Sequence, residues 1–162
     1  MTAPLRRPYQ ARPFDTIVLG GLTAGTLDIL DAFVMAIVNG GAPVRVLHAI
    51  ASGVVGRSAY QGGVPAAAFG LSLHFLIALG AATAYFFASR RLAILLRRPL
   101  VCGFMFGLMV WAFMYFAVLP LTFSRPYTVP APPQLFNQLA IHAVGVGLPI
   151  AWFASRSARR DA

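Results

Sequence analysis

The sequence predicts an all-α protein, an antiparallel four-helix transmembrane bundle with one outer interfacial amphipathic helix. Two observations predict this fold class. The 162 residues have a mean hydropathy of +0.75 and only 10% of them are charged, whereas a soluble domain carries about 25% charged residues. In addition, four apolar runs reach the roughly 20 residues that a helix needs to cross a bilayer. We therefore expect a single integral membrane domain covering residues 1–162.

The four spans are predicted at about 16–38, 64–88, 100–123 and 135–154. Pro65 stands in the first turn of the second span, where its missing N–H costs little. The third span follows Arg98 and Pro99, and the fourth follows a proline-rich stretch. The chain is thus predicted to cross the membrane four times.

Small residues predict which faces of the spans meet, because helices in membranes approach closely where such residues line a stripe. In the first span Gly21 and Gly25 lie on one stripe that continues through Asp28 and Asp31, and in the second span His74 shares a stripe with small residues. In the third span Gly103 and Gly107 lie on a stripe that continues through Val110 or Trp111. The stripe of the fourth span contains Gln138, His142, Gly145 and Pro149.

The segment between the first two spans is too polar to cross, and its middle, about 44–60, predicts an amphipathic helix. Arg45, His48, Ser52 and Gly56 recur at helical spacing along one face, with apolar residues on the remainder. We expect this helix to lie on the outer surface, with His48 in contact with water. A re-entrant segment over the bundle is the alternative.

The arginines predict the orientation of the spans. All thirteen basic residues are arginine, and ten of them fall on one side of the predicted membrane. By the positive-inside rule, that side and both termini are cytoplasmic. Topology also explains the net charge of +9, so we expect no nucleic-acid partner. The ten are Arg6, Arg7, Arg12, Arg90, Arg91, Arg97, Arg98, Arg156, Arg159 and Arg160, and the other three are Arg45, Arg57 and Arg125.

Asp28 and Asp31 lie inside the first span, where a carboxylate costs roughly 2.5–3.5 kcal/mol on insertion scales. Such residues face a protein interior, find partners or carry function. Counted from the span ends, His74 and His142 fall at a similar depth, roughly 10–15 Å below the outer boundary. We call Asp28, Asp31, His74 and His142 the polar cluster.

The polar cluster has a structural interpretation. Hydrogen bonds between acids and imidazoles on different helices fix the helix register, with Asp28 and His74 as the expected pair. Asp31 then points toward the outer interface, where Arg45 or Arg57 caps it.

Two functional interpretations stay open beside the structural one. In the first, the polar cluster handles protons or an ion, as intramembrane acids and histidines do in transporters. In the second, His74 and His142 are the two axial ligands of a b-type haem. No metal site is predicted, because two histidines and an acid spread over three helices match no local ligand motif. No catalytic residue is predicted either, since the chain has no readable nucleophile–base pair, phosphate loop or HExxH motif.

Five segments resemble small four-span bacterial inner-membrane proteins of uncharacterised role, and more distantly the YagU-like membrane proteins. The segments are 20–28 (GGLTAGTLD), 45–56 (RVLHAIASGVVG), 73–75 (LHF), 88–99 (ASRRLAILLRRP) and 119–121 (LPL). The resemblance implies a multi-pass protein of the bacterial cytoplasmic membrane and carries over no functional residues.

The extramembrane segments are too short to hold a soluble active site, so a non-enzymatic role is expected. We predict an accessory or interaction subunit that packs against other membrane subunits or against copies of itself within the lipid bilayer. No bound cofactor is expected on this interpretation.

Overall fold

The computed structural model describes residues 10–123 and 130–159 of the chain. Within these ranges the secondary structure is almost entirely helical, with short turns between the helices and no strand. Four of the arginines used to predict orientation, Arg6, Arg7, Arg125 and Arg160, lie outside the described residues, as do the first two residues of the proline-rich stretch, Thr128 and Val129.

Six helices account for the described fold. Helices α1, α3, α5 and α6 are long and apolar enough to cross a membrane, which confirms the prediction of four helices with this length and composition. Their 24 to 29 residues correspond to roughly 36–44 Å at the usual helical rise, so they exceed a hydrocarbon core of about 30 Å. The helices are α1 (Phe14–Val38), α2 (Pro43–Val55), α3 (Gly63–Arg91), α4 (Ile94–Arg97), α5 (Pro99–Thr122) and α6 (Pro132–Arg159), and a 3₁₀ helix (Gly56–Gln61) follows α2.

Proline and glycine set several helix boundaries. Pro43, Pro99 and Pro132 each open a helix at a position where no N–H is needed. Gly40 and Gly56 have φ of 73° and 71°, a left-handed backbone that suits glycine, and they end α1 and α2 respectively.

Two of the membrane helices contain wide π-helical turns ahead of a proline. The stretch Met114–Val118 ends two residues before Pro120, and Ile141–Gly147 ends two residues before Pro149. A proline has no N–H to give to the carbonyl four residues earlier, which favours a local change in the bonding pattern. Consistent with this, the N–H of Leu148 bonds the carbonyl of Ala143, five residues back. His142 therefore lies in a locally widened part of α6.

Helices α1 and α3 pack closely through small residues. A methyl group placed on Gly21 would lie 3.2 Å from the Cα of Leu79, and one on Gly25 would lie 3.0 Å from the Cβ of Ala78. As residue numbers rise along α1, they fall along α3. The small-residue face predicted from Gly21 and Gly25 is thus an interhelical contact.

Helices α5 and α6 approach even more closely. Gly103 faces the carbonyl of Gly147 and the side chain of Ala151, while Gly107 faces the backbone of His142. Here too, residue numbers on the two helices run in opposite order. The predicted stripe through Gly103 and Gly107 therefore brings α5 against the backbone of the helix that carries His142.

Helix α2 packs on the first turns of α3, where Gly70 lies against the carbonyl of Leu47. His48 is only 7% exposed, and its Nε2 lies 2.9 Å from the Gly63 carbonyl oxygen, to which it donates. The expectation that His48 contacts water is therefore wrong. Helical spacing placed His48 on the polar face of α2, and that face partly covers the start of α3.

The most tightly packed region lies at the arginine-rich end of the membrane helices. Tyr85, Leu96 and Ile150 are fully buried there. The Tyr85 hydroxyl donates to the carbonyl of Leu95 at 2.9 Å, and its ring lies edge-on to Phe106 with centroids 4.9 Å apart. This core anchors α3, α5 and α6 at the end of the bundle opposite to the polar cluster.

Candidate functional site

Asp28 on α1 and His142 on α6 form the central acid–imidazole pair. Asp28 Oδ1 lies 3.9 Å from His142 Nδ1, and the two side chains are 25% and 18% exposed. This separation permits an ion pair if His142 is protonated, but it is too long for a hydrogen bond. His142 Nδ1 instead donates to the carbonyl of Gln138 at 2.9 Å. In the neutral ring the proton therefore sits on Nδ1, which leaves Nε2 as an acceptor.

Asp31 is held one turn further along α1 by a side chain of α6. Asn137 Nδ2 donates to Asp31 Oδ2 at 2.8 Å. Arginine does not cap Asp31 as predicted, because no arginine in the described part of the chain forms an ion pair with this carboxylate. The guanidinium of Arg45 lies 5.9 Å over the ring of Tyr60, and Arg57 is exposed. An amide from the neighbouring span takes the place expected for a cation.

His74 does not pair with Asp28, and that prediction is wrong. Its Nε2 donates to the main-chain carbonyl of Gly25 at 2.8 Å. The physical reason is the close packing of α1 on α3, because Gly25 has no side chain to shield its carbonyl from the imidazole. The four members of the polar cluster thus separate into an α1–α6 group and a histidine that bonds the backbone of α1.

A polar contact between α5 and α6 extends the site. Trp111 Nε1 donates to Gln138 Oε1 at 3.1 Å. The small-residue stripes predicted that both residues face other helices, but the sequence did not predict this pair. The one feature that pointed to Gln138 as a site residue is that it shares a stripe with His142. We call these residues the polar seam, which joins α1, α5 and α6: Asp28, Asp31, Trp111, Asn137, Gln138 and His142.

The geometry gives no support to a haem between His74 and His142. Nε2 of His74 carries a proton toward the Gly25 carbonyl, so that nitrogen has no lone pair for iron. His142 directs Nδ1 to a carbonyl of its own helix and toward Asp28. Within residues 10–123 and 130–159, no group of three or more His, Cys, Asp or Glu side chains is arranged to hold a metal ion.

Comparisons with models of known protein families, with curated protein sequences and with solved structures give no match. The geometry of the polar seam and the surfaces of the four membrane helices are therefore the observations that bear on function.

Proposed function

We propose that this protein is a small, non-enzymatic multi-pass membrane protein that acts as an accessory or interaction subunit in the bacterial cytoplasmic membrane. One observation carries the proposal. Apart from Asp28, the residues of the polar cluster and the polar seam hydrogen-bond one another or the backbone of the same chain, as in the Asp31–Asn137 and Trp111–Gln138 contacts. Polar groups whose hydrogen bonds are made within the chain stabilise the helix bundle and are not available to bind a substrate.

The energetics of the lipid interior favour this interpretation. A polar group without a partner in hydrocarbon costs several kcal/mol, while a measured interhelical hydrogen bond contributes only about 0.6 kcal/mol on average. The main effect of the polar seam is therefore specificity, because alternative rotations of α1, α5 or α6 would leave a carboxylate or an amide unpaired. In this account the polar seam sets the helix register and leaves the outward faces for partners.

The proposal includes a topology. The four spans form an antiparallel bundle with both termini in the cytoplasm and α2 at the outer interface. The opposed residue order at the α1–α3 and α5–α6 contacts supports the antiparallel arrangement. The arginines near the ends of α3, α5 and α6 support the cytoplasmic assignment.

The partner contact is proposed on a stripe of α5. Met105, Met109, Phe113 and Phe116 recur at intervals of three or four residues, and they are 58%, 59%, 63% and 56% exposed. Flexible methionines and flat aromatic rings give large contact areas. The proposed occupant is another membrane subunit or a second copy of this chain.

A photocrosslinking residue at Phe113 tests this assignment in native membranes. The matched control is Leu76 on α3, which is 65% exposed and lies outside the stripe. We expect Phe113 to give a discrete protein adduct in stoichiometric amount and Leu76 to give none. Adducts with lipid alone at both positions, together with a purely monomeric protein in mild detergent, would contradict the proposal.

Proton or ion handling is the second candidate function, and one observation favours it. Asp28 and His142 are both part-exposed and lie 3.9 Å apart without a direct hydrogen bond, a separation at which one bridging water molecule can relay a proton between them. This candidate predicts a pH-gradient-driven flux in proteoliposomes that Asp28→Asn abolishes and Thr26→Ala, an exposed position on the same helix, preserves. The accessory role predicts no flux in the parent protein or in either variant.

A further inference from the structure

An open cavity of about 740 Å³ lies where α5 begins and α6 ends. Four arginines line it, two from each of the two converging chain segments. We propose that this cavity binds the head group of an anionic phospholipid, with the phosphate among the arginines and the acyl chains along the adjoining apolar wall. The inference is independent of the accessory role. The lining arginines are Arg97, Arg98, Arg156 and Arg159.

The fold brings these arginines together through backbone packing. Gly103 lies one turn into α5, and a methyl group there would come within 2.7 Å of the Cβ of Ala151 and 2.9 Å of the Gly147 carbonyl oxygen. The first turn of α5 and the last turns of α6 are therefore held side by side. Arginines that precede one helix and end the other consequently share one cavity, although about 60 residues separate them in sequence.

The donors in the cavity suit a phosphodiester. An arginine guanidinium presents N–H groups in a fork that bonds two phosphate oxygens at once. Pro99, Leu100 and Val101 also line the cavity, and no side chain caps the first turn of α5. The N–H groups of Leu100 and Val101 lack the carbonyl partner that later residues of a helix have, so they add donors near the same point. No carboxylate is among the described residues that line this cavity.

The remaining wall distinguishes a lipid from a soluble anion. Leu100 and Val101 are 69% and 63% exposed at the start of a membrane-spanning helix. Trp152 of α6 also lines the cavity, and the guanidinium of Arg156 lies 4.9 Å over its ring. The charged groups of the cavity therefore lie next to an apolar surface. A phospholipid has the same order of chemistry, with a charged head group attached to apolar acyl chains. The volume falls within the roughly 300–1,000 Å³ of ligand pockets.

Tryptophan fluorescence provides a direct probe, because the chain has only two tryptophans, Trp111 and Trp152. The full-length protein is reconstituted into symmetric vesicles that contain phosphatidylcholine and phosphatidylglycerol, one of them brominated in its acyl chains. Symmetric vesicles make the result independent of the orientation of the protein. In the Trp111→Phe variant, we expect brominated phosphatidylglycerol to quench Trp152 with an apparent affinity about tenfold higher than brominated phosphatidylcholine. The Trp152→Phe variant, which reports Trp111 within the polar seam, should show no such preference.

The arginine variants test the site itself. The double variant Arg97→Gln/Arg98→Gln should lose the tenfold preference. The double variant Arg90→Gln/Arg91→Gln should keep it, because it removes the same charge at the end of α3 from residues that do not line the cavity. Should the glutamine variant fail to fold, Arg97→Lys/Arg98→Lys retains the charge and is expected to weaken the preference through loss of the bidentate geometry.

Two outcomes would overturn the proposal. Equal losses in the two glutamine double variants would mean that the preference reflects net charge and not a site. Full displacement of the lipid by millimolar inorganic phosphate would mean that the cavity binds a free anion and not a phospholipid.

Discussion

Substitution of Gly107 by alanine is the sharpest test of the packing that supports the polar seam. A methyl group at Gly107 would lie 2.7 Å from the Cα of Ala143 and would also meet the carbonyl of His142. Both neighbours are backbone atoms of α6, so neither can yield by changing a rotamer. The Gly107→Ala variant must push α5 away from the segment that carries His142.

The expected magnitude combines two opposing effects. Overpacking in a close contact costs typically about 1–3 kcal/mol, while replacing glycine by alanine within a helix favours folding by roughly 0.5–1 kcal/mol. Gly107→Ala is therefore expected to lower the free energy of unfolding by about 1–2 kcal/mol. The matched control is Gly80→Ala in α3, because a methyl group at Gly80 meets nothing within 4 Å. That variant should be as stable as the parent or more so, by up to roughly 1 kcal/mol.

The assay is reversible unfolding in mixed micelles of a mild detergent and dodecyl sulfate, followed by far-ultraviolet circular dichroism. The two variants are expected to shift the midpoint in opposite directions, or at least to differ by more than 1 kcal/mol in unfolding free energy. Equal stabilities for Gly107→Ala and Gly80→Ala would refute the close approach of α5 and α6.

Three further substitutions test single contacts by the same unfolding assay. Tyr85→Phe removes the hydroxyl that donates to the Leu95 carbonyl and should destabilise by about 1–2 kcal/mol, whereas an unchanged stability would show that this bond is absent. Thr16 Oγ1 is buried without a hydrogen-bond partner among the described residues, so Thr16→Val should be neutral or stabilising by up to about 1 kcal/mol, and a clear loss would reveal a partner. His48→Ala removes the bond to the Gly63 carbonyl and should cost about 1–2 kcal/mol and speed proteolysis within α2, while a fully exposed histidine would give neither effect.

The spans and their small-residue faces could be predicted from the sequence because the bilayer restricts the possible structures. A span must be helical, apolar and about 20 residues long, and the helices begin and end within about five residues of the predicted positions. Gly25 and Gly107 lie at interhelical contacts, as their spacing indicated.

The pairing of the polar residues was harder to predict. Depth along the membrane placed Asp28, His74 and His142 at one level, but depth does not determine which helices are neighbours or how each is rotated. The close packing at Gly25 exposes a carbonyl that competes with the carboxylate for His74. Likewise, Asp31 accepts a hydrogen bond from the side chain of Asn137 and does not pair with Arg45 or Arg57 as predicted. Main-chain acceptors and helix rotation are tertiary properties, and no residue spacing within one helix encodes them.

Polar side chains at membrane depth pair with one another across α1 and α6, and the bond between Asp31 and Asn137 is the shortest example between two side chains. A double-mutant cycle measures this pairing, with Asp31→Ala, Asn137→Ala and the combined variant compared by unfolding free energy. We expect a coupling energy of about 0.6–1.7 kcal/mol. A control cycle between Asp31 and His74, which contact different partners, should be additive to within about 0.5 kcal/mol. Full additivity of Asp31→Ala and Asn137→Ala would show that the two side chains do not pair, and it would leave the carboxylate free for another role.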